Sequence, residues 1–186
     1  IILAAYFVLL GLFSIYGLHK YWLVFLFYRY GKRRPVPKRQ FADDELPRVT
    51  IQLPLYNELF VAERILEAAV RIRYPRDRLD IQVLDDSTDE TAEIARRKVA
   101  ELRDDGHDIV YLHREDRSGF KAGALEAGME VAKGDCFAIF DADFLPEPDF
   151  LEKTIHHFTN DGIGLVQMRW DHLNRRFNFL TNVQSI

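Results

Sequence analysis

The sequence predicts an α/β protein in which an N-terminal transmembrane helix precedes a doubly wound, mostly parallel sheet. Three observations carry this. The stretch from Ile1 to Leu18 holds no charged residue. Beyond about Arg48, short apolar runs alternate four times with stretches whose apolar residues recur at helical spacing. Each apolar run then ends in polar, mostly acidic residues. Such alternation implies right-handed crossovers and helices on both faces of a parallel sheet. Ligands of open sheets of this kind bind at the carboxyl ends of the strands.

Residues 1–30 are expected to form the transmembrane helix. The first apolar run alone would reach about 27 Å, against a bilayer core of about 30 Å. After His19 and Lys20 the apolar run resumes from Tyr21 to Tyr28. Lys20 can snorkel, and Tyr21, Trp22, Tyr28 and Tyr30 suit an interfacial belt. A water-soluble core helix rarely runs this long without a polar face, and no small-residue cleavage site follows as in a signal peptide.

Residues 31–44 read as a basic, proline-containing linker. Lys32, Arg33, Arg34, Lys38 and Arg39 place this end of the helix on the cytoplasmic side by the positive-inside rule. They also suit anionic headgroups of the lipid bilayer. Pro35 and Pro37 stop the helix and stiffen the link.

The domain follows from residue 45 to 186. VTIQL (49–53) is the first strand, and Asn57 is expected to cap a helix carrying Val61, Ile65, Ala68, Ala69 and Ile72. IQVLDD (81–86) is the second strand. Ser87 and Glu90 have the spacing of a capping box before a helix with Ala92, Ala95, Val99 and Leu102, closed by Gly106. IVYL (109–112) is the third strand, and a helix from about Gly119 to Lys133 follows. CFAIF (136–140), nearly all apolar, reads as a fourth strand buried on both faces. Pro148 opens a helix through Phe158, and GLVQM (164–168) is a fifth strand.

Charge excludes one class of partner. The net charge of −4 hides a split: residues 1–40 carry seven Lys or Arg and no acid, leaving −11 on the rest. A body of that sign does not suit nucleic acid, whose phosphates require a basic face. The single cysteine, Cys136, excludes a disulfide framework and reads as a small core residue. The histidines His19, His107, His156, His157 and His172 have no metal-ligand spacing.

The strand ends carry the chemistry. Asp141 and Asp143, two apart after a strand, can both reach one hard cation such as Mg²⁺ or Mn²⁺, which often shares its oxygen ligands with phosphates. The plainer reading is a solvated acidic turn. Asp85 and Asp86 can complement a helix dipole, but one residue suffices for that and leaves the other for a ligand. Lys121 at a helix start makes an anion site or a solubilising surface charge. His113 and Arg114 could contact a base or phosphate, or simply end a strand.

The strings LPLYNE (53–58), VLDDSTDET (83–91), HREDRSGFKAGAL (113–125) and FAIFDADFLPEPDFL (137–151) together resemble the processive family 2 glycosyltransferases, the group of cellulose and glucomannan synthases. The resemblance covers about residues 45–186. It implies a nucleotide-diphospho-sugar transferase fold on the cytoplasmic side of a membrane. It also implies inverting transfer of a sugar, from UDP-glucose or GDP-mannose, to a growing β-glycan acceptor with Mg or Mn as cofactor. Carried over, it assigns Tyr56 and Glu58 to the nucleotide pocket and Asp86, with Asp85, to base or ribose. His113 and Lys121 fall near base and diphosphate, and Asp141 and Asp143 near diphosphate and metal.

Two parts of the family pattern are absent from these residues. The catalytic Asp of a T-E-D string does not occur, and VQMRW (166–170) has the wrong spacing for Q-x-x-R-W. The expectation is an N-terminal fragment that holds the donor half, contains no catalytic residue and polymerises nothing. Two other classes compete. A phosphatase with an Asp nucleophile needs its D-x-D on the first strand with Thr or Val where Leu145 stands. A non-catalytic nucleotide-binding membrane module would lack both missing strings in the full-length protein.

Overall fold

The computed structural model describes residues 1–31, 36–168 and 177–184. It divides into two units, residues 1–37 and 38–186. The basic residues Lys32, Arg33 and Arg34, with Pro35, lie outside the described residues, as do His172 and the end of the VQMRW string.

The first unit is helix α1, Ile2–Tyr30. No proline interrupts it, and its many Leu and Ala residues favour helical geometry. Its 29 residues correspond to about 43 Å. Ser14 donates its hydroxyl to the Leu10 carbonyl at 2.8 Å, so its one polar group mid-helix is satisfied within the helix. By length and composition α1 can cross a membrane.

The second unit is built on four parallel strands: β1 (Val49–Leu55), β2 (Leu79–Asp85), β3 (Ile109–His113) and β4 (Cys136–Ile139). Their order is β3-β2-β1-β4. The chain therefore steps outward from β1 to β3 and then crosses back to the other side of β1. Helix α2 (Ala62–Val70) follows β1 and α3 (Thr91–Asp104) follows β2. Ala62, Ile65, Leu66 and Ala69 of α2, with Ala95, Val99 and Leu102 of α3, join Ile51, Leu53, Ile81 and Val83 of the strands in one core. Helix α4 (Phe120–Met129) lies on the opposite face. Helices thus lie on both faces, as in a doubly wound sheet.

The two faces differ in chemistry because strand side chains alternate. Under α4 the strands present a polar ladder. Thr50, opposite Asp80, donates its hydroxyl to that carboxylate at 3.0 Å, and Gln52, opposite Gln82, donates its amide to the Gln82 carbonyl at 3.0 Å. Gln52 also donates to the Leu125 carbonyl of α4 at 3.2 Å. Gly128 permits this approach: a Cβ there would lie 2.6 Å from Gln52 Nε2 and 2.8 Å from Gln82 Oε1.

Several local expectations are corrected. Asn57 does not cap α2. It sits at φ 54°, and the helix begins after Val61, whose amide and that of Ala62 donate to the Glu58 carbonyl. Ser87 and Glu90 form no capping box: Ser87 Oγ accepts the Asn57 amide at 2.9 Å, and Asp89 instead receives the Thr91 amide at 3.0 Å. The Asn57 and Ser87 side chains are spent on joining the loops after β1 and β2. Helix α4 stops at Met129, four residues short of Lys133. The Pro148 helix is only α5 (Phe150–Thr154), continued by a 3-10 turn over Ile155–Thr159.

Strand β4 is not buried on both faces. It is an edge strand among the described residues, with Phe137 39% and Ile139 47% exposed. Residues 164–168 form no strand, since no described strand pairs with them. A short apolar run does not by itself distinguish a strand from a loop. Helix α6 (Phe179–Gln184) ends the described chain. Residues 38–44, read as linker, fold with the second unit: Lys38 pairs with Asp161, and the Phe41 amide donates to His156 Nδ1 at 3.1 Å.

Candidate donor-binding site

The polar residues that the sequence places at strand ends do meet at the carboxyl rim of the sheet. Parallel pairing puts Leu55 beside Asp85 and Asp85 beside His113. The loops after β1, β2 and β3 therefore leave side by side.

Asp85 is fully buried and fully engaged. One carboxylate oxygen receives the Ser87 amide at 3.0 Å; the other receives the Tyr111 hydroxyl and lies 3.2 Å from His113 Nδ1. Burial, then the hydrogen bond to Asp85, raises the Tyr111 phenol above its ordinary value. The rings of Tyr111 and His113 stack at 6.2 Å. In this arrangement Asp85 fixes the His113 ring and the turn into α3.

Asp86 is held differently. Arg114 donates Nε to one oxygen at 2.8 Å and Nη2 to the other at 2.6 Å, a bidentate fork. Arg114 Nη2 also donates to the Phe120 carbonyl at 3.2 Å. The side chains are 4% exposed for Asp86 and 20% for Arg114, so this pair sits largely out of water. Hydrogen bonding to Asp86 raises the Arg114 guanidinium further above its ordinary range.

The remaining expected residues face solvent. Tyr56 and Glu58 are exposed on the loop after β1. Lys121, in the first turn of α4, pairs with Asp141, which follows β4. Asp143 is exposed and makes no hydrogen bond or ion pair among the described residues. The Phe144 amide donates to the Asp141 carbonyl at 3.0 Å, which turns the chain so that both carboxylates leave β4 together.

Two residues escaped the sequence reading. Tyr111, read only as part of an apolar strand, anchors Asp85. Arg117 lays its guanidinium on the Tyr56 ring, 3.3 Å from the centroid. The signal was the cation spacing Arg114, Arg117, Lys121 within one short segment. That segment reaches the ends of three strands: Arg114 at Asp86 after β2, Arg117 at Tyr56 after β1, and Lys121 at Asp141 after β4.

A cation fits beside Asp141 and Asp143 only as a shared site. Among the described residues no group of three or more His, Cys, Asp or Glu side chains is gathered to hold a metal. Two carboxylates would leave most positions to water and phosphate oxygens, which is how Mg²⁺ is usually held at phosphate sites.

Comparison with known proteins identifies the family. Glucomannan 4-beta-mannosyltransferase 7 of Arabidopsis thaliana is 38% identical over 178 residues, covering 88% of this chain and 32% of its own length. A relative from Oryza sativa subsp. japonica is 42% identical over 147 residues, covering 76% of this chain and 25% of its own. The chain thus spans a third or less of these relatives. Among solved structures, a mannosyltransferase from Pyrobaculum calidifontis in complex with GDP-Man and Mn²⁺ superposes with a TM-score of 0.62 at 32% identity, covering 77% of this chain and 40% of that one. The model of glycosyl transferase family 2 matches residues 50–185, from the first strand through the whole rim, and the chain belongs to that family.

Proposed function

We propose that this chain is the donor-binding part of a membrane-anchored, inverting glycosyltransferase that moves a hexosyl group from a nucleoside diphosphate to a growing β-glycan. The single observation that carries the reading is the meeting, on one rim, of an exposed aromatic ring (Tyr56), a clamped carboxylate (Asp86), a lysine (Lys121) and the Asp141–Asp143 pair. The mannosyltransferase relatives and the GDP-Man complex support GDP-mannose as donor, with UDP-glucose the other candidate.

Each residue then has a task. Tyr56 stacks on the base. Asp86, held in place by the Arg114 fork, accepts a hydrogen bond from base or ribose. Lys121, released from Asp141, bonds to a diphosphate oxygen. Asp141 and Asp143 would hold Mg²⁺ or Mn²⁺, and the Mn²⁺ of the Pyrobaculum complex supports a divalent ion. When bound, that ion neutralises charge on the departing diphosphate. Carboxylates committed to a cation are poor bases, so this rim serves the leaving-group side and leaves the acceptor proton to other groups.

Helix α1 anchors the domain, and the basic residues at 32–39 set it on the cytoplasmic face. The test is calorimetric titration of the chain in mild detergent with GDP-mannose and with UDP-glucose in the presence of Mn²⁺. Saturable binding of one donor is expected. Saturable binding of neither overturns the reading.

A further inference from the structure

The segment 114–121 carries three cations, and among the described residues two of them have an anion. Arg114 is forked onto Asp86, and Lys121 is paired with Asp141. Among the described residues the Arg117 side chain makes no ion pair or hydrogen bond, and its Nε is buried without a partner. What holds it is the Tyr56 ring at 3.3 Å, with Phe120 behind at 5.1 Å. An Arg on an aromatic face is favourable, but it satisfies none of the five guanidinium donors. A buried donor left unpaired is costly, and the cost disappears when an acceptor arrives.

The backbone is arranged to keep Arg117 over the rim. Gly119 and Phe120 are both left-handed, at φ 73° and 51°, and the Phe120 amide donates back to the Arg117 carbonyl at 3.0 Å. Phe120 has a Cβ, so this conformation is strained and is maintained by its surroundings. Strain of this kind is an observation that points to a function for the turn it creates.

We propose that Arg117 is a further donor-binding residue that rests on the Tyr56 ring and transfers its guanidinium to the diphosphate when the base takes its place. The inference rests on the donor-binding reading above and adds a residue to it. The exchange is chemically matched. A planar base replaces a planar guanidinium on the same ring, and the guanidinium gains phosphate oxygens that accept in its fork geometry. No covalent step is involved. Arg117 then contributes to affinity through the phosphates and opposes the base alone.

The experiment compares nucleosides with nucleoside diphosphates. Uridine, guanosine, UDP and GDP are titrated calorimetrically into the full 186-residue chain with Mn²⁺, using wild type, Arg117→Ala and Arg117→Lys. Arg117→Ala should weaken the preferred diphosphate about 10-fold, the equivalent of one charge-assisted contact, while the nucleoside binds as well as before or better. Arg117→Lys keeps the charge and should recover most of that loss. Equal weakening of nucleoside and diphosphate, or no change in either, overturns the role of Arg117 while leaving the donor-binding reading standing. Wild type that binds neither diphosphate overturns both. Thermal unfolding of each variant, expected to match wild type, separates a binding loss from a folding loss; a large drop in both variants also overturns the proposal.

Discussion

Removing Arg114 should weaken both the fold and the site, and the size of the effect follows from its contacts. Arg114→Ala deletes a bidentate fork to Asp86 and a bond to the Phe120 carbonyl. It leaves the Asp86 carboxylate 4% exposed with no cation beside it. Breaking a fully buried pair costs about 3–5 kcal/mol, and an exposed pair about 0–1 kcal/mol. Arg114 is 20% exposed, so the pair lies toward the buried limit, and about 2–4 kcal/mol is expected. The assay is urea unfolding in mild detergent of wild type, Arg114→Ala, Asp86→Asn and the double variant. The double variant should be more stable than the single effects predict, with a coupling of about 2 kcal/mol, because no charge is then left unpaired. A coupling near zero would refute the claim that the clamp is desolvated, and with it the claim that Arg114 presets Asp86 for a ligand.

Two further predictions concern other parts of the chain. Burial raises the Asp80 carboxyl above its ordinary 3.8, partly offset by the Thr50 hydrogen bond, so the folded state holds that proton more tightly than the unfolded state. Stability from this group is therefore present below 3.8 and lost as pH rises through the higher folded value; Asp80→Asn should flatten that part of a stability–pH curve, and an unchanged slope would contradict the assignment. Helix α1 should keep the chain in the pellet after carbonate extraction of membranes from expressing cells, and recovery in the soluble fraction would remove the anchor from the account.

The parts of this molecule legible in its sequence are those set by local pattern. Alternation placed the four described strands, and the acids at the ends of β2 and β4 marked the rim before any pairing was known. What was not legible depends on which strands become neighbours. Asn57 and Ser87 are competent caps, yet the pairing of β1 with β2 brings them together and they bond to one another's loops instead. The strand pattern gave no role to the polar residues Thr50, Gln52, Asp80 and Gln82, which in register form the ladder under α4. The cation spacing could flag Arg117, but not its partner, because Tyr56 lies 61 positions away and two strands across the sheet. The apolar run of β4 suggested full burial, but as an edge strand it exposes Phe137 and Ile139.

The central claim is that this rim binds a nucleoside diphosphate through a cation held by Asp141 and Asp143. A diphosphate beside two carboxylates is repelled unless a cation lies between them. The direct measurement is calorimetry of GDP and UDP against the chain with Mn²⁺ and then with chelator, for wild type and Asp143→Ala. Asp143 has no partner among the described residues, so its substitution should leave the fold intact. The account predicts that chelator lowers wild-type affinity at least about 10-fold, and that Asp143→Ala binds weakly and equally with or without the ion. Equal wild-type affinity with Mn²⁺ and with chelator, or an unaltered Asp143→Ala, would contradict it.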